Sequence, residues 1–152
     1  MNFTPSKLNL FLLFKLPAAF ICGVRVKKIS LTTCMVSVRH RWINQNPFGS
    51  LYFAVQAMAA ELTTGALVKA HIDLVNKKIS MLVVQNKSAF LKKALGKIVF
   101  ECKEGNEISA ILQKAIETSE GQTFWLKSIG KDESGEVVAE MDFEWSVKVK
   151  QS

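Results

Sequence analysis

Two hydrophobic periods alternate along the chain, and their order outlines an architecture. Near the C-terminus, Val137, Ala139, Met141, Phe143, Trp145, Val147 and Val149 alternate with mostly polar neighbours. A period of two puts these side chains on one face of a strand, with the opposite face wet. Residues 122–130 read as the strand before it, across the turn Asp132-Glu133-Ser134-Gly135. Upstream, 24–29 and 33–40 read as a strand pair with its corner at Leu31-Thr32-Thr33. In 33–40, Cys34, Val36 and Val38 share one face, while Met35, Ser37 and Arg39 take the other. Residues 78–91 and 96–103 read as two more strands, separated by Lys92-Lys93-Ala94-Leu95.

Helical periods fill the gaps. A short helix opens near Ser6, sets Leu8, Phe11 and Leu12 on one side, and stops before Pro17. A second, about Asn106 to Ser119, is amphipathic through Ile108, Ile111, Leu112 and Ala115. Between them, Asn44, Gln45, Asn46, Pro47 and Gly49 carry loop chemistry, and Ser50 is placed to cap a third helix. From Ser50 to about Ile72 the sequence is helical and apolar nearly all round, over roughly 30 Å. Such a helix needs covering on several sides. With no repeat, linker or low-complexity tract, residues 1–152 form one α+β domain whose sheet curls round 50–72.

Composition agrees with a single globular core: 152 residues, 49% hydrophobic and 22% charged, which excludes a disordered or fibrous chain. The net charge is +7, and residues 1–60 hold seven Lys or Arg and no acidic residue. From Glu61 onward thirteen basic residues face thirteen acidic ones, so the whole excess lies upstream. A field of this sign favours anionic partners. Nucleic acid is not the expected one, because the basic residues are spread over helix and strands without a recognition motif. Trp42, between Arg39, Arg41 and the loop, is expected to cover the end of the long helix rather than to stack on a base.

Cys22, Cys34 and Cys102 form no Cys-x-x-Cys pair, and His40 and His71 lie far apart. Neither a disulfide framework nor a metal site is expected. The apolar N-terminal run is broken by Asn9 and Lys15 and lacks a signal-peptide pattern, so it reads as part of the fold. It is also too short to span a bilayer. A cytoplasmic protein with reduced thiols and no membrane partner is the expectation.

Glu61 stands out on the long helix. On a helical wheel Ser50, Ala54, Ala57 and Gly65 project within about 40° of it, with Thr64 near the edge of that sector. Tyr52, Val55 and Leu67 point away. A carboxylate on the one small-residue stripe of an apolar helix needs a partner, a raised pKa or a chemical role. Small neighbours leave room for a ligand. They would equally let a second subunit approach, with Glu61 paired to a lysine at the seam.

The stretches WINQNPFGSLYFAVQAMAAELTTGAL and KISMLVVQNKSAFLKKALGKIVFEC resemble hotdog-fold proteins of the acyl-CoA thioesterase superfamily. The likeness is narrower to an uncharacterised branch carrying a domain of unknown function, and runs from the opening helix and GVRVKKIS to DFEWSVKVK. The resemblance implies a curved antiparallel sheet of about six strands round one long helix. It also implies homodimers joined edge to edge, or dimers of dimers. In the thioesterases of phenylacetate and hydroxybenzoate metabolism, an Asn precedes the helix and an acidic residue lies fifteen positions on; Asn46 and Glu61 have that spacing. By analogy Glu61 acts as general base or nucleophile and Asn46 positions water or thioester, with the site completed across the dimer. Asn44 is the alternative to Asn46 for the loop role.

Where those enzymes carry His-Gly-Gly at the helix start, this chain has Tyr52, Phe53 and Ala54. Backbone N–H donors for an oxyanion survive that change. The dehydratase pattern of the same fold needs a loop His, and His40 comes too early. Tyr52, Phe53, Ala54, Ala57 and Gly65 are therefore expected to line the substrate. Lys87, Lys92 and Lys93 are either the contacts for coenzyme A phosphates or protective charges at a strand end. The activity so implied is hydrolysis of an acyl-CoA or acyl-carrier-protein thioester. No cofactor is expected, since coenzyme A enters only as part of the substrate. The alternative is a non-catalytic acyl-CoA or lipid-binding protein of the same fold.

Overall fold

The computed structural model describes residues 3–150. Six strands form one antiparallel sheet: β1 (Arg25–Ile29), β2 (Cys34–Arg39), β3 (Ile79–Phe90), β4 (Lys97–Cys102), β5 (Gln122–Lys131) and β6 (Val137–Val149). Their spatial order is β1-β2-β4-β5-β6-β3, so β1 and β3 are the two edges. β6 shows why alternation was so clear in sequence: Val147, Phe143 and Met141 are buried on its inner face, while Asp142 and Glu144 pair across strands on the outer one. Gly130 on β5 is required by close packing, since a Cβ there would meet the Phe100 ring at 2.5 Å.

The helix α3 (Phe53–Ile72) lies in the concave side of this sheet. Its buried residues include Val55, Ala59, Ala60, Leu62, Thr63, Leu67 and Val68. Burial of such a helix against a sheet contributes about 25 cal/mol per Å² of apolar area removed from water. Two hydroxyls are satisfied inside: Thr63 donates to the Ala60 carbonyl, 2.7 Å, and meets Ser128 on β5 at 2.8 Å. The helix starts three residues later than the sequence pattern suggested. Ser50 does not cap it; Tyr52 is the first flanking residue and offers no side-chain bond. Ser50 is instead buried in the preceding loop.

α1 (Pro5–Lys15) opens at Pro5 with Thr4 as cap, whose hydroxyl accepts from the Lys7 N–H at 3.3 Å. It ends before Pro17 as expected, but the chain then begins a further turn, α2 (Pro17–Ile21), because proline is well suited to a first helical position. Asn9 ties α1 to β1: its side chain accepts from the Val26 N–H at 2.8 Å and donates to the Val26 carbonyl at 3.0 Å. Leu12 alone on α1 is fully buried; Leu8 is partly so, and Phe11, expected on the same face, is half exposed. The amphipathic helix of 106–119 is α4 (Ile108–Thr118), with Ile108, Leu112 and Ala115 buried. Ser119 ends it in the left-handed conformation, φ 58°.

Candidate functional site

The accessible side of α3 is the small-residue stripe. Ala54, Ala57, Met58, Glu61 and Gly65 are partly exposed, while nearly every other residue of the helix is buried. Glu61 occupies the middle of that stripe and opens onto a cavity of about 250 Å³. Glu61, Leu62, Gly65, Ala66 and Lys69 of α3 form one wall, Met81 of β3 and Trp145 of β6 another, and Phe3, Lys7, Leu8, Phe11 and Leu16 the third. Its lining is almost wholly apolar.

Burial alone pushes the Glu61 carboxyl above its ordinary range; no hydrogen bond or ion pair among the described residues opposes it. Lys69 on the same wall is already paired with Asp73. Above the carboxylate, Trp145 is fixed by its indole N–H donating to Thr64 Oγ1 at 3.0 Å. A carboxylate on the wall of an apolar cavity, with its pKa raised, is suited to take a proton from water at a bound substrate.

Asn46 has a different setting. Its Oδ1 accepts from the backbone N–H groups of Phe48, 3.0 Å, and Ser50, 3.1 Å, and its Nδ2 donates to Ser50 Oγ at 2.9 Å. Its own N–H donates to the Ser50 carbonyl, 2.8 Å, closing a tight loop over Pro47-Phe48-Gly49, with Gly49 at φ 73°. Asn44, the alternative, is buried and equally committed: it accepts from the Arg41 N–H and donates to the carbonyls of Cys22 and Arg39. Within one chain neither asparagine lines the Glu61 cavity.

Asn46 belongs to a second groove, at the start of α3, shared with Phe53, Gln56, Phe90, Lys92 and Lys93. Tyr52 and Phe53 rings meet edge-on at 5.0 Å, and Phe53 meets Phe90 at 6.2 Å. The expected residues thus divide into two groups. Glu61 and Gly65 share the cavity; Asn46, Phe53, Lys92 and Lys93 share the groove. Ala54 and Ala57 lie on the stripe of α3, and Tyr52 abuts Phe53, but these three line neither space. Lys92 is paired with Asp132 and Glu136, and Lys93 donates to the Phe48 carbonyl at 3.4 Å. Lys87 stands apart on β3, its Nζ 4.9 Å from the Trp125 ring centroid.

Sequence reasoning did not find Trp145, Met81 or the α1 residues as cavity walls. The alternation on β6 puts Trp145 inside, yet nothing in sequence says that it faces Glu61. Trp42 does not cover the end of the long helix; it is 84% exposed on a 3-10 turn. Among the described residues there is no cluster of three or more His, Cys, Asp or Glu able to hold a metal, and no helix is long and apolar enough to cross a membrane.

A family model described as a domain of unknown function, DUF4442, matches residues 6–147. The chain belongs to the DUF4442 family. This DUF4442 chain is similar in structure to a Pseudomonas aeruginosa protein of unknown function described as a probable thioesterase. The TM-score is 0.79, identity 24%, and 97% of each chain is covered. A Chlorobaculum tepidum protein of unknown function aligns with TM-score 0.81 and 12% identity, covering 96% of this chain and 94% of its own. A Haemophilus influenzae thioesterase aligns with TM-score 0.74 and 13% identity, covering 98% and 93%. Among curated proteins no sequence match was found. The fold of this DUF4442 chain is therefore the hotdog fold of those thioesterase-like neighbours.

Proposed function

We propose that the protein hydrolyses an acyl thioester carried on coenzyme A or on an acyl carrier protein, with Glu61 as the general base or nucleophile. The observation that carries this reading is the Glu61 carboxylate, half-buried and without a partner among the described residues, on the wall of an apolar cavity. An acyl chain is the ligand class that such a lining favours. In the general-base form, Glu61 takes a proton from water as its oxygen attacks the thioester carbonyl. The tetrahedral intermediate then expels the thiolate, which leaves as the thiol with that proton. Free backbone N–H groups in the first turn of α3, which has no side-chain cap, are suited to the oxyanion.

The groove holding Asn46 and the start of α3 is apart from the Glu61 cavity in one chain, so the reading includes a homodimer, or a dimer of dimers, that joins them. Support comes from β3, an edge strand of 12 residues with Leu82, Val84 and Phe90 exposed. A long apolar edge calls for a covering strand. Lys92 and Lys93, at the groove, are then the candidates for the nucleotide end of coenzyme A, and Lys87, on the Trp125 side, is the outlying one.

A thiol-release assay over short, medium and aromatic acyl-CoAs tests the hydrolase. Turnover that falls to background in Glu61→Gln supports it; no turnover above that variant on any substrate rejects it. The second reading is a non-catalytic acyl-binding protein. It is favoured by the commitment of Asn46 Oδ1 and one Nδ2 hydrogen to its own loop and by Tyr52-Phe53-Ala54 at the helix start. It predicts thermal stabilisation by acyl-CoA with wild type and Glu61→Gln equally inert.

A further inference from the structure

The outer side of α1 and α2 is apolar where a surface helix is normally polar. Leu10, Leu13 and Ile21 are exposed, and Phe14 is 71% exposed. The turn at 42–44 continues this surface: Asn44 Nδ2 donates to the Cys22 carbonyl at 2.9 Å, and the Arg41 guanidinium lies where a side chain on Gly23 would be. That seats the turn carrying Trp42 beside the end of α2, with the indole almost fully exposed. Isolated apolar residues on a surface are ordinary, but a contiguous group of large ones marks an interface.

The segments that build this face carry charge of one sign. Lys15, Arg25, Lys27, Lys28 and Arg41 have no carboxylate within ion-pair distance among the described residues, and residues 1–60 contain none at all. Arg25 is held by the Phe20 and Val24 carbonyls, 2.8 and 2.7 Å, with its guanidinium 3.6 Å over the Phe20 ring. Burial and then the neighbouring Arg41 charge lower its pKa, and neither guanidinium has a carboxylate partner among the described residues. An exposed apolar face on segments that carry unneutralised cations and an exposed tryptophan matches a phosphate-bearing lipid surface.

We infer that the face formed by α1, α2 and Trp42 docks on an anionic membrane surface. Leu10, Phe14 and Ile21 enter the acyl boundary, Trp42 sits at headgroup depth, and Lys15, Arg25 and Arg41 meet lipid phosphates. This is contact with one leaflet, distinct from a membrane-crossing segment. A second copy of the chain is a poorer occupant, because the apolar edge suited to it is β3, at the opposite edge of the sheet from β1, on which α1 packs. Phe11 and Leu16 belong both to the exposed helix pair and to the Glu61 cavity wall, so docking would bring that wall to the lipid. The inference stands whether or not the cavity is catalytic.

Sedimentation of the full chain with vesicles tests it, using phosphatidylcholine alone and phosphatidylcholine mixed with phosphatidylglycerol. Binding is expected to the mixed vesicles, to weaken with salt, and to fall roughly tenfold in a Phe14→Glu/Trp42→Glu double variant. Lys114→Glu, on exposed α4, should bind as wild type. Both altered positions are exposed, so the variant's circular dichroism should match wild type. Absence of binding to the anionic vesicles, or equal binding by the double variant, overturns the inference. So does a wild type that ignores vesicles while the double variant loses an oligomer by light scattering, which would assign the face to a second copy.

Discussion

Gly65 lies one turn along α3 from Glu61, and a Cβ placed on it would stand 3.1 Å from Glu61 Oε1 and 3.1 Å from the Trp145 ring. The absence of a side chain there keeps open the part of the cavity between the carboxylate and the indole.

Gly65→Ala should therefore separate stability from binding. Alanine gains up to about 1 kcal/mol of helix propensity over glycine. The tight contacts oppose that gain, since the Trp145 ring is tethered to Thr64 and only the Glu61 carboxylate can swing aside. The net stability change is expected within about 1 kcal/mol of zero. Stabilisation of the protein by an acyl-CoA should fall markedly. Thermal melts with and without ligand check both; unchanged ligand stabilisation would remove the Gly65 gap from the site.

The contrast between these residues and Asn46 shows what sequence carries. The stripe of Ala54, Ala57, Glu61 and Gly65 was legible because a helical wheel needs only the 3.6-residue period, and that stripe is the accessible side of α3. The succession of helices and strands and the covering of α3 followed from alternation and from the family resemblance. Asn46 was placed by spacing alone, and spacing is blind to where a side chain spends its hydrogen bonds. The loop uses Oδ1 and one Nδ2 hydrogen to hold Phe48 and Ser50. The walls supplied by α1, Met81 and Trp145 were illegible because they depend on how distant elements converge. The exposure of Phe11 and Trp42 was missed for a related reason: their expected cover, on one side of α1 and over the end of the long helix, is not provided within one chain.

Glu61→Gln should change how stability depends on pH. Burial raises the carboxyl above its ordinary value of 4.5, so the folded state binds a proton more tightly than the unfolded state. Wild-type stability is then lost as pH rises from about 4.5 through the folded-state value, and the Gln variant lacks that loss. The variant should melt higher than wild type at neutral and alkaline pH, with the gap closing toward pH 4. Parallel melting curves across this range would show that Glu61 is not desolvated.

Asn46→Asp and Asn46→Ala divide structural from chemical roles. Alanine removes the acceptor for two backbone N–H groups and should cost about 1–2 kcal/mol. Aspartate keeps that acceptor, and Ser50 Oγ can donate to it, so it should cost less. If Asn46 acts through its Nδ2 on substrate, aspartate loses turnover while retaining most of the stability. Chemical denaturation alongside the thiol-release assay reads both; loss of activity only in proportion to unfolding would assign Asn46 to the loop alone.

The three thiols should differ sharply. Cys34 and Cys102 face each other across β2 and β4, and burial pushes them up to about 12 and about 11. Neither offers thiolate at neutral pH, whereas Cys22 is partly exposed at the end of α2. A thiol reagent should label Cys22 in the native protein and the other two only after denaturation. Comparable rates for all three would show that the β2–β4 ladder opens readily.

Assembly bears most directly on the proposed chemistry. Asn46 and the start of α3 border one groove, and Glu61 borders another cavity, in the same chain. A two-fold pairing through the exposed β3 edge would make two equivalent sites, each mixing the groove of one subunit with the carboxylate of the other. Light scattering at micromolar concentration should then give a dimer or tetramer, and a charge such as Val84→Lys on the β3 edge should weaken it. Co-refolding Asn46→Ala with Glu61→Gln should restore up to about a quarter of wild-type turnover per total site, because half the chains pair as heterodimers and each heterodimer holds one intact site. Activity that remains at the level of the two single variants, with heterodimers verified, would place the Asn46 and Glu61 contributions within one chain or remove one of them. A monomer would end the shared-site argument outright.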